Sequence, residues 1–213
     1  VGQILSTVRA LGLDNNTLVV FISDNGPWLS YGDHAGSALP LREGKNTTFD
    51  GGQRVPFIAW WPGQIAADSV CREVAVTFDM LPTLAGLAGA TLDPERTIDG
   101  KDIWPLLHGA PGAESPHEAF FYHLGGQVHA VRNGKWKLHA PHKYSSLAKA
   151  GGGGWPGPYE TKEIGWALFD LEADISETTD VADQHPDVVE RLKGLMVAFE
   201  KDLADNSRPP GRI

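Results

Sequence analysis

Apolar residues along the chain recur in two periods. Ile4, Leu5, Val8 and Leu11 fall on one face at helical spacing, and Asp14-Asn15-Asn16 follows with turn chemistry. Thr17 to Ser23 (TLVVFIS) is almost continuously apolar and β-branched. That composition predicts a strand buried on both faces, as in a parallel sheet. A helix leading into such a strand is half of a βαβ repeat. Val55 to Trp61 (VPFIAWW) predicts a second buried strand, closed by Pro62-Gly63. Asp79 then opens a helix with Met80, Leu81, Leu84, Leu87 and Ala88 as its apolar positions. Pro82 is tolerable in its first turn, and Gly89 fits its C-terminal cap.

After Pro111 the pattern changes to short alternating runs. Glu118–His123, Gln127–Arg132 and Lys135–Ala140 read as strands, with Asn133-Gly134 as a type I′ hairpin signal. Pro141–Gly165, with four glycines at 151–154, reads as a long flexible loop, and Trp166–Leu171 as a further strand. Val188, Leu192, Leu195, Met196, Phe199 and Leu203 lie at helical spacing, so Pro186–Ala204 is an amphipathic helix. The pattern divides the chain into an α/β segment, residues 1–110, and an α+β segment, residues 111–213, with an antiparallel sheet and a long C-terminal helix.

Composition narrows the function classes. The 213 residues carry 18 Lys+Arg against 27 Asp+Glu, a formal charge of −9, which argues against a nucleic-acid surface. Hydrophobic residues at 41% suffice for a core. No apolar run approaches the roughly 18–20 residues of a membrane span. Cys71 stands alone, which excludes an intrachain disulfide and any CxxC motif.

Two stretches carry candidate chemistry. Ser23-Asp24-Asn25-Gly26 sits where a buried strand ends, the place where open α/β sheets hold ligands. Asp24 and Asn25 offer adjacent hard oxygens suited to Ca²⁺ or Mg²⁺; an Asx turn is the plain alternative. In Leu41 to Gly52 (LREGKNTTFDGG), Lys45 is flanked by glycine and hydroxylic residues, an arrangement fit to hold an anion or simply to be a solvated loop. Arg54 reads as a brace for that loop.

In order, TLVVFISDNGP, PLREGKNTTFDGGQRVPFIAWWPG, DMLPTLAGLAG, IDGKDIWPLL and ALFDLEADISETTDVA resemble the sulfatase family, of the arylsulfatase type within the alkaline phosphatase-like superfamily. The last stretch matches the family's closing motif, with Ile175 where proline is common. The resemblance implies an alkaline phosphatase-like mixed or parallel sheet followed by a small α+β subdomain. It implies hydrolysis of a sulfate monoester on a small molecule or glycan. It also implies Asp24 and Asn25 as ligands of a divalent metal, usually Ca²⁺ (Mg²⁺ as the variant), and Lys45 as the sulfate contact. A periplasmic, secreted or lysosomal setting goes with the family, although nothing in this sequence fixes the compartment.

The family's nucleophile is a formylglycine made from C/S-x-P-x-R. No such motif occurs here. Cys71 lacks the proline, and Ala38-Leu39-Pro40-Leu41-Arg42 has alanine at the nucleophile position. The expectation is a C-terminal half that is inactive alone, with its nucleophile upstream, and with an exposed sheet surface able to form homo-oligomers. His34, on a loop between the two motifs, and His139 and His142, on or beside the hairpin strands, are candidate substrate contacts, each weighed against an ordinary structural role. Trp155 is a further candidate for stacking on a leaving group. A phosphoester or phosphonate hydrolase of the same superfamily and a non-catalytic interaction module remain as alternatives.

Overall fold

The structure, a computed structural model, describes residues 1–207. In chain order its elements are α1 (Gly2–Ala10), β1 (Val19–Ile22), α2 (Asp50–Gln53), β2 (Phe57–Trp60), α3 (Met80–Leu87), α4 (Trp104–Leu107), β3 (Phe120–Leu124), β4 (Gln127–Asn133), β5 (Trp136–His139), β6 (His142–Leu147), β7 (Tyr159–Ile164), β8 (Ala167–Asp170) and α5 (Pro186–Asn206). They form two compact units. The first comprises Val1–Ile22 with Pro56–Glu118, and the second Ser23–Val55 with Ala119–Ile213. The stretch holding both candidate loops, residues 23–55, therefore packs with the C-terminal half of the chain.

In the first unit β1 pairs antiparallel with β2, Val19 opposite Trp60 and Ile22 opposite Phe57. The expected strand is present, but it is shorter and only half covered, with Phe21 and Ile22 exposed. An apolar β-branched run fits either pairing direction, so composition carries no information about it. Every sheet among the described residues is antiparallel. Further along, a carboxylate organises the α3 region. The fully buried Asp79 accepts hydrogen bonds from the Val76 and Lys101 N–H groups and contacts His117 Nε2 at 2.8 Å. Thr83, also buried, accepts from the Ile103 N–H. Gly89 takes φ +67° just past α3 and ends it as expected.

The second unit is built on the sheet β3-β4-β5-β8, whose two faces are both covered. The register sets Val131 opposite Leu138 and Leu138 opposite Leu168, which puts these three on one face. That face packs against Val189, Leu192 and Met196 of α5, and Phe121 stacks on Phe199 at 4.0 Å. The opposite face carries Lys137, His139, Phe169 and Tyr122. There the cover is the 42–50 loop, with Phe49 stacked on His139 at 4.7 Å.

Two local expectations change. The β4–β5 hairpin turns on Gly134-Lys135, because Asn133 still pairs with Trp136, and positive φ occurs at Gly134 and not at Asn133 or Lys135, so the turn is not type I′. The stretch 141–165 is no flexible loop. β6 and β7 pair over six residues, from His142–Ile164 to Leu147–Tyr159. The mostly polar YETKEI of β7 hides its strand character, since the ladder is made by backbone groups and β7 buries little.

Because Leu192 is fully buried between α5 and the sheet, Leu192→Ala is expected to destabilise the second unit by about 2–5 kcal/mol. Urea denaturation read by near-UV circular dichroism measures this.

Candidate active site

The two sequence motifs meet through backbone contacts. The chain leaves β1 and turns at Asp24-Asn25, where the Ser23 hydroxyl donates to the Asn25 carbonyl at 2.9 Å. The Gly26 N–H then donates to the Gly52 carbonyl at 3.0 Å, and the Lys45 N–H to the Pro27 carbonyl at 3.0 Å. The approach is too close for side chains. A Cβ on Gly26 would lie 1.8 Å from the Gly51 carbonyl oxygen, and one on Gly44 2.5 Å from that of Pro27. These glycines exist to let two loops touch. Lys45 itself is half-buried, its ammonium 5.3 Å from the Trp28 ring centroid, a cation–π distance.

The lysine loop folds on itself. The Thr47 hydroxyl donates to the Gly44 carbonyl, Gln53 Nε2 to the Thr47 carbonyl, and the Gly51 N–H to the Arg42 carbonyl. Beneath it lies a buried ionic cluster. Lys137 Nζ is 2.7 Å from Asp50 Oδ1 and 2.8 Å from Glu177 Oε1, with all three side chains at 1% exposure or less. Tyr122 donates its hydroxyl to Asp50 Oδ1, and the Asp50 N–H donates to Glu177 Oε2 at 2.7 Å. Arg42 closes the cluster, donating to the Glu177 carbonyl at 2.7 Å and to the Tyr144 hydroxyl at 3.0 Å with its guanidinium over Phe49.

Burial alone would raise the Asp50 and Glu177 carboxyls. The Lys137 ammonium outweighs it at both, aided by Arg132 and Arg54 at Asp50 and by His139 at Glu177, so both are held below the usual carboxylate range. Burial pulls the Lys137 ammonium down, and the anionic partners around it more than restore it, so its value stands above that of free lysine. His139 is pushed down to about 4, chiefly by burial and further by Lys137, against the opposing pull of Glu177. It is neutral near pH 7, and its 3.0 Å contact to a carboxylate oxygen requires the proton on Nε2. His142 is also lowered by burial; its Nδ1 donates to the Ala140 carbonyl, leaving Nε2 to accept from the Thr48 hydroxyl at 3.4 Å.

Residues 1–90 match the sulfatase family model, and residues 115–209 match the model for the C-terminal region of aryl-sulfatase. The chain belongs to the sulfatase family. It is 48% identical to bovine (Bos taurus) arylsulfatase A over 143 residues, covering 65% of this chain and 28% of that protein. Against mouse (Mus musculus) N-acetylgalactosamine-6-sulfatase the identity is 42% over 140 residues, 65% of this chain and 26% of the relative. The matched part thus spans under a third of the length of these relatives. The crystal structure of the PsFucS1 sulfatase from Pseudoalteromonas sp. superposes with a TM-score of 0.84 at 24% identity, over 98% of this chain and 41% of that one, a likeness of fold. The alkaline phosphatase-like fold class with a C-terminal α+β part follows from these matches.

Of the sulfatase residues expected from sequence, Asp24, Asn25 and Lys45 are brought together on the touching loops. Asp24 and Asn25 provide the hard oxygen chemistry that suits Ca²⁺, but two donors fall short of the roughly six to eight that ion takes. Among the described residues no group of three or more His, Cys, Asp or Glu is arranged to hold a metal ion. His34 is exposed at the end of the 3₁₀ stretch Leu29–His34, outside the contacts that join the loops. His139 lies inside the second unit, with no surface on which a ligand could rest, and His142 is buried beside it. Inward-facing strand positions placed both behind the lysine loop instead of at its rim. Trp155 is 78% exposed at the tip of the β6–β7 hairpin, whose Gly151 and Gly157 N–H groups both donate to the Ser30 carbonyl.

Sequence reasoning missed Asp50, Lys137, Glu177 and Arg42. One signal was available. In Trp136-Lys137-Leu138-His139 strict alternation puts Lys137 and His139 on one face, which is solvent-facing only if nothing covers it.

His129, lowered to about 4 by burial and by His142 and His123, joins His139 in staying neutral in the native state, whereas unfolded histidine titrates near 6.5. Their support for folding is complete above about pH 6.5 and is lost as pH falls toward 4. Below that, protonation of Asp50 and Glu177 removes more. Stability measured by urea titration across pH is expected to fall on acidification through this window, with about two protons taken up on unfolding near pH 5. Separately, Gly26→Ala is expected to cost about 1–3 kcal/mol, measured in the same way, because its methyl group would strike the Gly51 carbonyl.

Proposed function

We propose that this chain forms part of the active site of an enzyme that hydrolyses sulfate monoesters, with Lys45 contacting the sulfuryl group. The observation that carries the reading is the backbone junction of the Asp24-Asn25 turn with the Lys45 loop, Gly26 to Gly52 and Lys45 to Pro27. It holds a cation and a pair of hard oxygen donors on touching loops, within a chain that belongs to the sulfatase family. Cleavage of the S–O bond builds negative charge on the sulfuryl oxygens and the leaving oxygen. An ammonium fixed in advance stabilises that charge without reorganising as it forms.

Asp24 and Asn25 are proposed as two oxygen donors to Ca²⁺, with the remaining donors outside this chain. The C/S-x-P-x-R sequence that yields formylglycine, the nucleophile of this chemistry, is likewise absent from the 213 residues. The substrate class proposed is a sulfated small molecule or sugar. Two relatives named for such substrates, an arylsulfatase and an N-acetylgalactosamine-6-sulfatase, support it.

The isolated chain is expected to show no turnover of 4-nitrophenyl sulfate. Grafted into bovine arylsulfatase A in place of the segment it matches, it is expected to support that hydrolysis. Lys45→Ala in the graft is expected to lower the rate by about 10²–10³-fold. A folded graft that cleaves 4-nitrophenyl phosphate in preference to the sulfate, or that tolerates Lys45→Ala, would overturn the reading.

A further inference from the structure

Lys45 stands on a loop that has little freedom of its own. Between Arg42 and Arg54 the chain is closed by the bonds Thr47 to Gly44, Gly52 to Phe49, Gly51 to Arg42 and Arg54 to Asp50. A Cβ on Gly52 would lie 2.5 Å from the carbonyl oxygens of both Gly44 and Thr47, so the halves of the loop are in van der Waals contact. Asp50 and Lys45 therefore belong to one tightly packed loop, which is also joined to the 23–28 turn by the Lys45 N–H to Pro27 bond.

What fixes Asp50 is electrostatic. Asp50 and Glu177 approach each other through the Asp50 N–H, and Lys137 lies between their carboxylates at 2.7 and 2.8 Å. Glu177 is itself held by a stiff turn. Asp174 caps that turn by accepting from the Thr178 and Thr179 N–H groups, and the Ser176 hydroxyl donates to the Pro40 carbonyl. Lys137 projects from the middle of the four-stranded sheet, its backbone paired with β4 and β8. The sheet therefore presents a fixed cation, the turn a fixed anion, and the loop docks by adding the second anion.

We propose that Lys137 is a positioning residue for Lys45: the Asp50–Lys137–Glu177 cluster sets the seat of the 42–54 loop and thereby the place of the Lys45 ammonium. The proposal rests on Lys45 being the sulfate contact for its meaning in catalysis, but not for its geometry. Removing the Lys137 charge leaves two buried carboxylates facing each other. The two cannot both stay ionised and dry, so at neutral pH the loop is expected to lift and hydrate Asp50, and to return when either carboxylate takes up a proton on acidification. The other titratable or charged groups packed around the cluster are His139 of β5, Tyr122 of β3, Arg132 of β4, His142 of β6, and Arg42 and Arg54 of the loop. Loss of a merely space-filling lysine would give a defect with no such pH dependence.

The test is NMR of the full 213-residue chain with labelled lysine, following the Lys45 side-chain signals, which the Trp28 ring 5.3 Å away is expected to displace from the free-lysine position. The Leu192 and Met196 methyl signals report the core. The wild-type Lys45 signals are expected to hold between roughly pH 5 and 8. In Lys137→Met they are expected at the free-lysine position at the upper end and back toward the wild-type position at the lower end, with the core signals native throughout. Wild-type Lys45 signals in Lys137→Met at every pH, or a loss that acid does not reverse, would overturn the proposal.

Should Lys137→Met lose its core signals, Asp50→Ala decides, because it removes only the loop's anion and leaves the Lys137–Glu177 pair in place. A native core with the Lys45 signals at the free-lysine position supports the proposal, and Lys45 signals at the wild-type position or a lost core overturn it. Inorganic sulfate added to the wild-type chain separates the two readings. If Lys45 does not respond to sulfate while the pH reversal in Lys137→Met holds, the sulfate assignment fails and the positioning stands.

Discussion

A lysine ammonium with no exposed surface, held between two carboxylates, is the constraint on which the second unit depends. Each charge is costly to bury and tolerable only in the presence of the other two, so the three elements that carry them must be assembled together. Deleting one partner of such a group costs about 3–5 kcal/mol, because the others are left buried without compensation. The geometry limits the penalty further. Glu177 accepts from Lys137, His139 and the Asp50 N–H, and Asp50 accepts from Lys137 and Tyr122. The shared oxygens have several donors, while Asp50 Oδ2 and His139 Nδ1 are buried without a hydrogen-bond partner.

The sheet β3-β4-β5-β8 gains two different partners from this arrangement. One face is oily and takes α5 through Leu138, Leu168, Leu192 and Met196. The other face is polar yet equally dry, and takes the 42–50 loop through matched charges and the stacked pair Phe49–His139. Hydrophobic burial on the first side supplies stability, while on the second side the Asp50 carboxylate of the loop meets the Lys137 ammonium of the sheet. The loop so held carries Lys45 and, by its glycine contacts, supports the turn of Asp24 and Asn25.

Much of this was legible in the sequence, and the pattern of what was not is instructive. Elements that bury a stripe or an alternating face, α5 and the β3–β5 hairpins, follow their periodicity closely. The motifs around Asp24 and Lys45 were recognisable because their chemistry is local: adjacent donors, or a lysine set among glycines. The β6–β7 hairpin escaped notice since β7 buries almost nothing and its stability comes from backbone pairing. The ionic cluster escaped for another reason. Asp50 and Lys137 are 87 positions apart, and each looks like an ordinary surface charge until the other is placed beside it. His139 is a candidate substrate contact only through the family resemblance, and the loop that buries it is remote in sequence.

The second unit is assembled from two stretches separated by Pro56–Glu118, and that interruption bears on how the molecule acquires its native state. Arg42 finds its carbonyl partner on Glu177 at a separation of 135 residues. Contacts so distant must meet a large loop-closure cost before they return any stability. During synthesis the lysine loop emerges long before β5 and the Glu177 turn have been made, and it has no docking place until then. The part of the chain richest in chemistry therefore has no docking place until β5 and the Glu177 turn exist, and until then its charges are solvated.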